Sequence, residues 1–368
     1  MAKYMHERPE WPNFRWDREA LADQLEAVRH RQGRLIGRME SLGFSLRNEA
    51  VLQTLTQDVV KSGEIEGEIL DPAQVRSSIA RRLGMDIADP VQASRDVEGV
   101  VEMILDATRK FDEPLTDERL WAWHASLFPT GRSGMTRIRV GAWRDDGAGP
   151  MLVVSGPFGR EKIHYQAPDA GRLDHEMELF LEWFNAEQNI DPVLKSGIAH
   201  LWFVSIHPFD DGNGRIARAI ADMVLARSEG SSQRFYSMSA LIRQERNVYY
   251  RELEAAQKRD LDITAWLRRY LDFLDRAVER AEEIPADVLK KARFWGRVAD
   301  VRLNDRQKDI LMRLLEDFEG NLNTSKYAKI EKCSQDTALR DIKELLDLGI
   351  LQKDTGGGRS TSYSLVDV

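Results

Sequence analysis

Apolar residues recur at three- and four-residue spacing along almost the whole chain, and strand-like alternation is confined to a few short runs. A helical period buries one stripe of each segment and demands partner helices, so a mainly α fold is expected and a large sheet is excluded. The pattern runs over 17–82 (Leu21, Leu25, Val28; Leu35, Ile36, Met39), with Gly43 and Gly84 as stops. It resumes after Asp89-Pro90 over 91–110, and over 120–128 behind a Thr116-Asp117 cap. Further helices are predicted at 173–185, 193–204, 215–227, 249–259 and 266–283. One Gly- and Pro-rich stretch, 129–168, interrupts them. Inside it 151–155 and 162–166 read as short strands around Gly156-Pro157-Phe158-Gly159.

From about Asn304 the texture changes. Three shorter helices (306–318, 324–330, 335–348) precede two short strands (350–353, 362–366) around Gly356-Gly357-Gly358, the element order of a winged helix. The expected division is a helical region 1–88, a core 89–285, a linker 286–302 and a winged helix 303–368, within the two or three domains that 368 residues suggest. Fifty-three Lys and Arg against sixty-one Asp and Glu give a net charge of -8, so the chain as a whole does not attract nucleic acid. The tail is near neutral as well. Gln335, Thr337, Arg340 and Lys343 could reach a groove and Arg359 a phosphate, while Asp336, Asp341 and Glu344 on the same helix oppose this. DNA is therefore a weakly supported partner, and protein docking an equal alternative. Cys333 is the only cysteine, which excludes a disulfide framework and a Cys-based zinc cluster. Residues 1–16 lack the apolar core of a signal peptide, and no apolar run approaches the roughly 18 residues of a membrane span. A cytoplasmic chain without membrane contact is expected. Trp11, Phe14 and Trp16 are expected to pack onto the body, or to form a homodimer contact.

The chemistry is concentrated in His207-Pro208-Phe209-Asp210-Asp211-Gly212-Asn213-Gly214-Arg215-Ile216-Ala217-Arg218. This run leaves one apolar helix and opens another, so it forms a loop at a helix N-terminus, where anions bind. Two glycines let successive N–H groups face one point, and Asn213 can add a side-chain donor. Arg215 and Arg218 share a helix face and can clamp phosphate oxygens. Asp211 is a hard oxygen ligand of the kind Mg²⁺ takes, and His207 suits general-base work. Each part alone has an ordinary reading, a loop histidine, a turn, a solvated arginine pair; the combination describes phosphate-ester transfer.

The run resembles the signature of the Fic (filamentation induced by cAMP) family, His-x-Phe-x-Asp/Glu-Gly-Asn-Gly-Arg-x-x-Arg, with every specified position matched. The resemblance implies a protein adenylyltransferase that moves AMP from ATP to a Ser, Thr or Tyr hydroxyl of a target protein, or of itself. It implies that His207 deprotonates the hydroxyl, that Asp211 holds Mg²⁺, and that Gly212, Asn213 and Gly214 form the anion hole. Arg215 and Arg218 would hold the β and γ phosphates, and Phe209 would anchor the loop. Gly141-Ala142-Trp143-Arg144 and the hairpin carrying Lys162, Ile163, His164 and Tyr165 look like the family's flap, which pairs with the target as an added strand. Tyr249, Tyr250 and Gln257 look like its adenine-side wall, with Gln257 where an Asn is usual. Ser62-Gly63-Glu64-Ile65-Glu66-Gly67 resembles the inhibitory motif of members whose regulatory helix precedes the core, in which Glu66 would occupy Arg218 and Ser62 would support it. Removal of AMP, transfer of another nucleotide, and a DNA-binding regulator using the core as a nucleotide sensor are the alternative readings.

Overall fold

The computed structural model describes residues 3–42, 44–87, 90–147, 149–156, 159–187, 189–282, 294–295, 297–298, 301–315, 318, 320–354 and 361–366. Gly43, Asp89, Pro157, Phe158, the 356–358 glycines, Arg359 and most of the 286–302 linker lie outside them. The chain divides into two compact units, Met1–Pro285 and Ala286–Val368. Regions 1–88 and 89–285, expected as separate, belong to the first.

The first unit contains α1 (Glu19–Glu40), α2 (Phe44–Glu66), α3 (Pro72–Leu83), α4 (Arg95–Arg109), α5 (Asp117–Leu127), α6 (Leu173–Asn185), α7 (Pro192–Ile206), α8 (Asn213–Glu229), α9 (Met238–Gln244), α10 (Arg246–Gln257) and α11 (Thr264–Ala281). Their starts follow local chemistry. Asp71, Ser94, Thr116 and Asp191 each accept from a backbone N–H of the first turn, and Pro72 and Pro192 occupy the first helical position. Every residue of α7 from Ser196 to Ile206 is buried, in keeping with a largely apolar sequence broken only by Ser196, His200 and Ser205. It pairs with α8 at the centre; α1 lies along α11, α2 on α3 and α9, and α4 on α5 and α8.

Two antiparallel hairpins complete the unit: β1 (Arg132–Ser133) with β2 (Thr136–Arg137), and β3 (Leu152–Ser155) with β4 (Lys162–Gln166). The first hairpin and α9 escaped the sequence reading; both are short, and α9 starts on a Ser237 cap rather than on a long apolar stripe. The opening aromatics pack onto the body. Trp11 and Phe14 meet Trp202 edge-on, and the Trp11 indole N–H donates to Glu176 at 2.7 Å.

In the second unit α12 (Asp305–Leu315), α13 (Thr324–Ile330) and α14 (Gln335–Asp347) precede the hairpin of β5 (Leu351–Lys353) and β6 (Tyr363–Leu365). Ile310, Leu311, Tyr327, Ile342, Leu345 and Leu351 form its core. Asp341, read from sequence as an acid opposing a groove, is instead 3% exposed and internal. It accepts from Arg306, Asn304 and the Tyr327 hydroxyl, which compensates its burial. No described helix is long and apolar enough to cross a membrane.

Candidate active site

The loop between α7 and α8 is held by its own side chains. His207 ends α7 in the left-handed region (φ 53°), an uncommon conformation for a residue with a Cβ. Its Nδ1 faces the Val204 carbonyl at 3.2 Å. Donation there places the proton on Nδ1 and leaves Nε2 with its lone pair. Burial pushes the imidazole pKa down to about 4, so the ring is neutral at pH 7.

Phe209 is fully buried, its ring stacked on His124 with centroids 4.1 Å apart. The Asn213 side chain closes a ring on the Phe209 backbone, accepting from its N–H at 3.0 Å and donating to its carbonyl at 2.8 Å. The amide expected to face an anion is thus engaged in shaping the loop. Gly212 caps α8 with φ 81°, and a Cβ there would stand 2.9 Å from the Phe128 ring. Only glycine fits both demands. Asp211 accepts from the Gly212 N–H at 2.6 Å and from the Ser133 hydroxyl of the first hairpin.

The two arginines meet the end of α2. Arg218, 4% exposed, donates to the Ser62 hydroxyl at 3.0 Å, the Ser62 carbonyl at 3.1 Å and Glu66 Oε1 at 2.8 Å. Burial works against the Arg218 charge, and Glu66 more than restores it. The Tyr250 hydroxyl donates to Glu66 Oε2 at 3.3 Å. A Cβ on Gly214 would lie 2.3 Å from Glu66 Oε1, so the carboxylate sits directly against the first turn of α8. Arg215 lies under the Phe128 ring and donates to Glu68 Oε2 at 2.6 Å.

His207, Asp211, Asn213, Gly214, Arg218 and Glu66 share a cavity of about 620 Å³. Its far walls are the β3–β4 hairpin and α10. His164 joins these walls: one ring nitrogen contacts Ser155 at 2.6 Å and the other Glu254 at 2.6 Å. Ile163 is 45% exposed and Lys162 is also exposed, whereas Tyr165 is 1% exposed and donates to the Ser205 carbonyl at 2.8 Å. Tyr165 therefore anchors the hairpin from beneath. Tyr249 turns inward, its hydroxyl 2.7 Å from His200 Nε2, and Gln257 donates to Ser205 at 3.2 Å. Tyr250 is the more open aromatic of the pair.

Residues 114–225 match the family described as Fic/DOC, and they contain the whole loop from His207 to Arg218. The chain carries a Fic/DOC family domain. Residues 4–85, which contain Ser62 and Glu66, match a family described as a domain of unknown function, DUF4172. Among relatives named protein adenylyltransferase Fic, that of Culex quinquefasciatus is 27% identical over 229 residues, 61% of this chain and 41% of its own. That of Drosophila yakuba is 28% identical over 278 residues (72% and 51%), and that of Drosophila melanogaster 24% over 311 (81% and 58%). The chain thus spans about half the length of these relatives. A Fic family protein from Desulfovibrio desulfuricans G20 has a similar fold, with a TM-score of 0.53 at 21% identity over 94% of this chain and 96% of that one. A Fic domain-containing signaling protein from Bacteroides thetaiotaomicron also reaches 0.53, at 18% identity over 71% and 97%.

Two residues of the Fic/DOC domain have roles beyond those read from sequence. Arg144, taken as part of the flap, is 4% exposed and donates to the His207 carbonyl at 2.8 Å and the Pro168 carbonyl at 2.6 Å. Trp143 beside it packs on Phe209. The Gly-Ala-Trp-Arg run therefore braces the loop. Among the described residues no three His, Cys, Asp or Glu groups converge to hold a metal. Asp211 places a carboxylate at the cavity beside the α8 N-terminus, which fits Mg²⁺ because that ion keeps waters and phosphate oxygens as most of its ligands.

Proposed function

We propose that the chain transfers AMP from ATP to a Ser, Thr or Tyr hydroxyl of a protein, with Glu66 restraining the resting form. The observation that carries this reading is a neutral His207, its proton turned to Val204, opening on the same cavity as the α8 N-terminus and Arg218. In the reaction the hydroxyl oxygen bonds to the α phosphorus, the α–β phosphoanhydride bond breaks and pyrophosphate leaves. His207 Nε2 accepts the hydroxyl proton. The N–H groups of Asn213 and Gly214 face the phosphates, the Gly212 N–H being engaged by Asp211; Arg215 and Arg218 hold the β and γ groups, and Phe209 and Arg144 keep the loop in shape. Asp211 would hold Mg²⁺, which supplies charge neutralisation on the phosphates when bound. Tyr250 and Gln257 form the base-side wall, and Lys162 and Ile163 offer the strand that a target segment joins.

With Glu66 on Arg218, a γ phosphate has lost its cation. Glu66→Gly is expected to raise labelling of targets, or of the chain itself, from α-labelled ATP. Equal labelling by parent and variant overturns the inhibitory assignment. His207→Ala in the Glu66→Gly background should abolish transfer while ATP still binds; loss of both would make His207 structural.

A further inference from the structure

Helix α2 ends on a left-handed glycine, Gly67 (φ 87°). The Gly67 N–H donates to the Glu64 carbonyl at 3.2 Å and the Glu68 N–H to the Gly63 carbonyl at 3.0 Å. These are the two bonds of a Schellman end, and they fix residue 68 relative to residue 66. The turn is tight: a Cβ on Gly63 would stand 3.3 Å from the Glu68 carbonyl oxygen.

This turn presents two carboxylates to two guanidiniums. Glu66 Oε1 lies 2.8 Å from Arg218 Nη2, and Glu68 Oε2 lies 2.6 Å from Arg215 Nη1. The arginines are three apart on one helical turn; the glutamates are two apart across a left-handed bend, and the spacings match. Arg215 is deeply buried, its side chain 2% exposed, and its Nε has no hydrogen-bond partner among the described residues. Its Phe128 neighbour offers a ring face, so Glu68 is the carboxylate that answers its charge. The Glu68 side chain is 42% exposed and can swing into solvent without losing hydration.

We propose that Glu68 is a second nucleotide-displacing residue: in the resting chain its carboxylate occupies the place on Arg215 that a β-phosphate oxygen takes in a nucleotide complex. The inference rests on the reading of Arg215 and Arg218 as phosphate clamps. Its consequence is a brake with two contacts of different scope. Glu66 opposes a third phosphate, Glu68 opposes a second, and AMP escapes both. Relief at Glu66 alone leaves Arg215 occupied, so full nucleotide affinity requires the Glu66-Gly67-Glu68 turn to move or both carboxylates to be neutralised.

The test is calorimetric titration of the full chain with AMP, ADP and ATP, for the parent, Glu68→Gln, Glu66→Gly and the double variant. Glu68→Gln keeps the size of the side chain and removes its charge. It should tighten ADP about three- to fivefold, the range expected of a half-exposed ion pair, and leave AMP unchanged. Glu66→Gly should tighten ATP more than ADP, and the double variant should exceed either single one for ATP. Glu68→Asp, which retains the charge on a shorter arm, should fall between parent and Glu68→Gln. Unchanged ADP affinity in Glu68→Gln, or equal tightening of AMP and ADP, overturns the proposal, the latter because it would mark a general field effect. Failure of the adenylyltransferase reading looks different: Glu66→Gly would then bind nucleotide without transferring label, with the ADP shift of Glu68→Gln intact.

Discussion

Replacing Arg144 by alanine removes the brace of the catalytic loop without removing any side chain that lines the cavity. The side chain is buried and donates to the carbonyls of His207 and Pro168. Burial lowers the Arg144 pKa, yet the group stays charged at neutral pH, and its two bonds are charge-assisted. Each such bond contributes about 1.5–3 kcal/mol, so Arg144→Ala should cost about 3 kcal/mol or more once water has replaced part of the loss. For a unit of this size that corresponds to a fall in melting temperature of about 5 °C. The functional effect follows from His207, whose left-handed backbone depends on a satisfied carbonyl. A shift of the imidazole by about 1 Å should slow transfer roughly 100-fold. The assay is label incorporation from α-labelled ATP in the Glu66→Gly background, with a melting curve on the same preparation. Arg144→Lys, which reaches one carbonyl, should be intermediate in both. Transfer at the parent rate by a folded Arg144→Ala chain would refute the positioning argument. An unchanged melting temperature would refute the packing argument beneath it.

Other outcomes follow from the same geometry. His6, His124 and His207 are pushed by burial to about 4 and His200 to about 3, all below an ordinary value of 6.5. The unfolded chain therefore binds more protons between these limits. Stability from these groups is complete above pH 6.5 and falls by about 1.4 kcal/mol per pH unit per histidine as pH drops toward 4. Asp222, raised by burial to about 7, works the opposite way. Denaturant titrations at pH 7 and 5 that show no net loss would contradict this balance. His164→Phe cuts the link between the β3–β4 hairpin and Glu254; it should raise KM for a protein target while leaving ATP affinity within about twofold, and an unchanged KM would refute a tether. Asp341→Ala leaves Arg306, Asn304 and Tyr327 without their shared acceptor. It should destabilise the second unit, read as an earlier melting step with nucleotide binding in the first unit unchanged.

The loop from His207 to Arg218 was legible because its information is local: twelve consecutive residues, two of them glycines with a steric reason to be there. The helices were legible for the same reason, since apolar period and caps lie within a turn of each other. What escaped was set by distant partners. Arg144 braces carbonyls at residues 168 and 207, and nothing adjacent in sequence announces that an arginine will be buried. Asn213 was assigned to an anion because an amide can donate; only the fold shows it engaged with Phe209. Asp341 carries the same lesson, its burial compensated by Arg306 on another helix. Glu68 was not singled out because its direction depends on a left-handed bend at Gly67.

Residues 4–16 lie across the finished unit like a strap. His6 meets Tyr165 at a separation of 159 residues, Trp11 meets Glu176 at 165, and the Asp17 N–H meets Thr264 at 247. During synthesis at about 5–20 residues per second, the strap waits about 12–50 s for the last of these partners to be made. Its contacts close loops as long as those that join α1 to α11, so its docking belongs among the late steps of folding. Until then Tyr165 lacks the covering of Tyr4 and His6, and β4 lacks its support. The hairpin proposed to receive targets therefore gains its full support only when the strap docks.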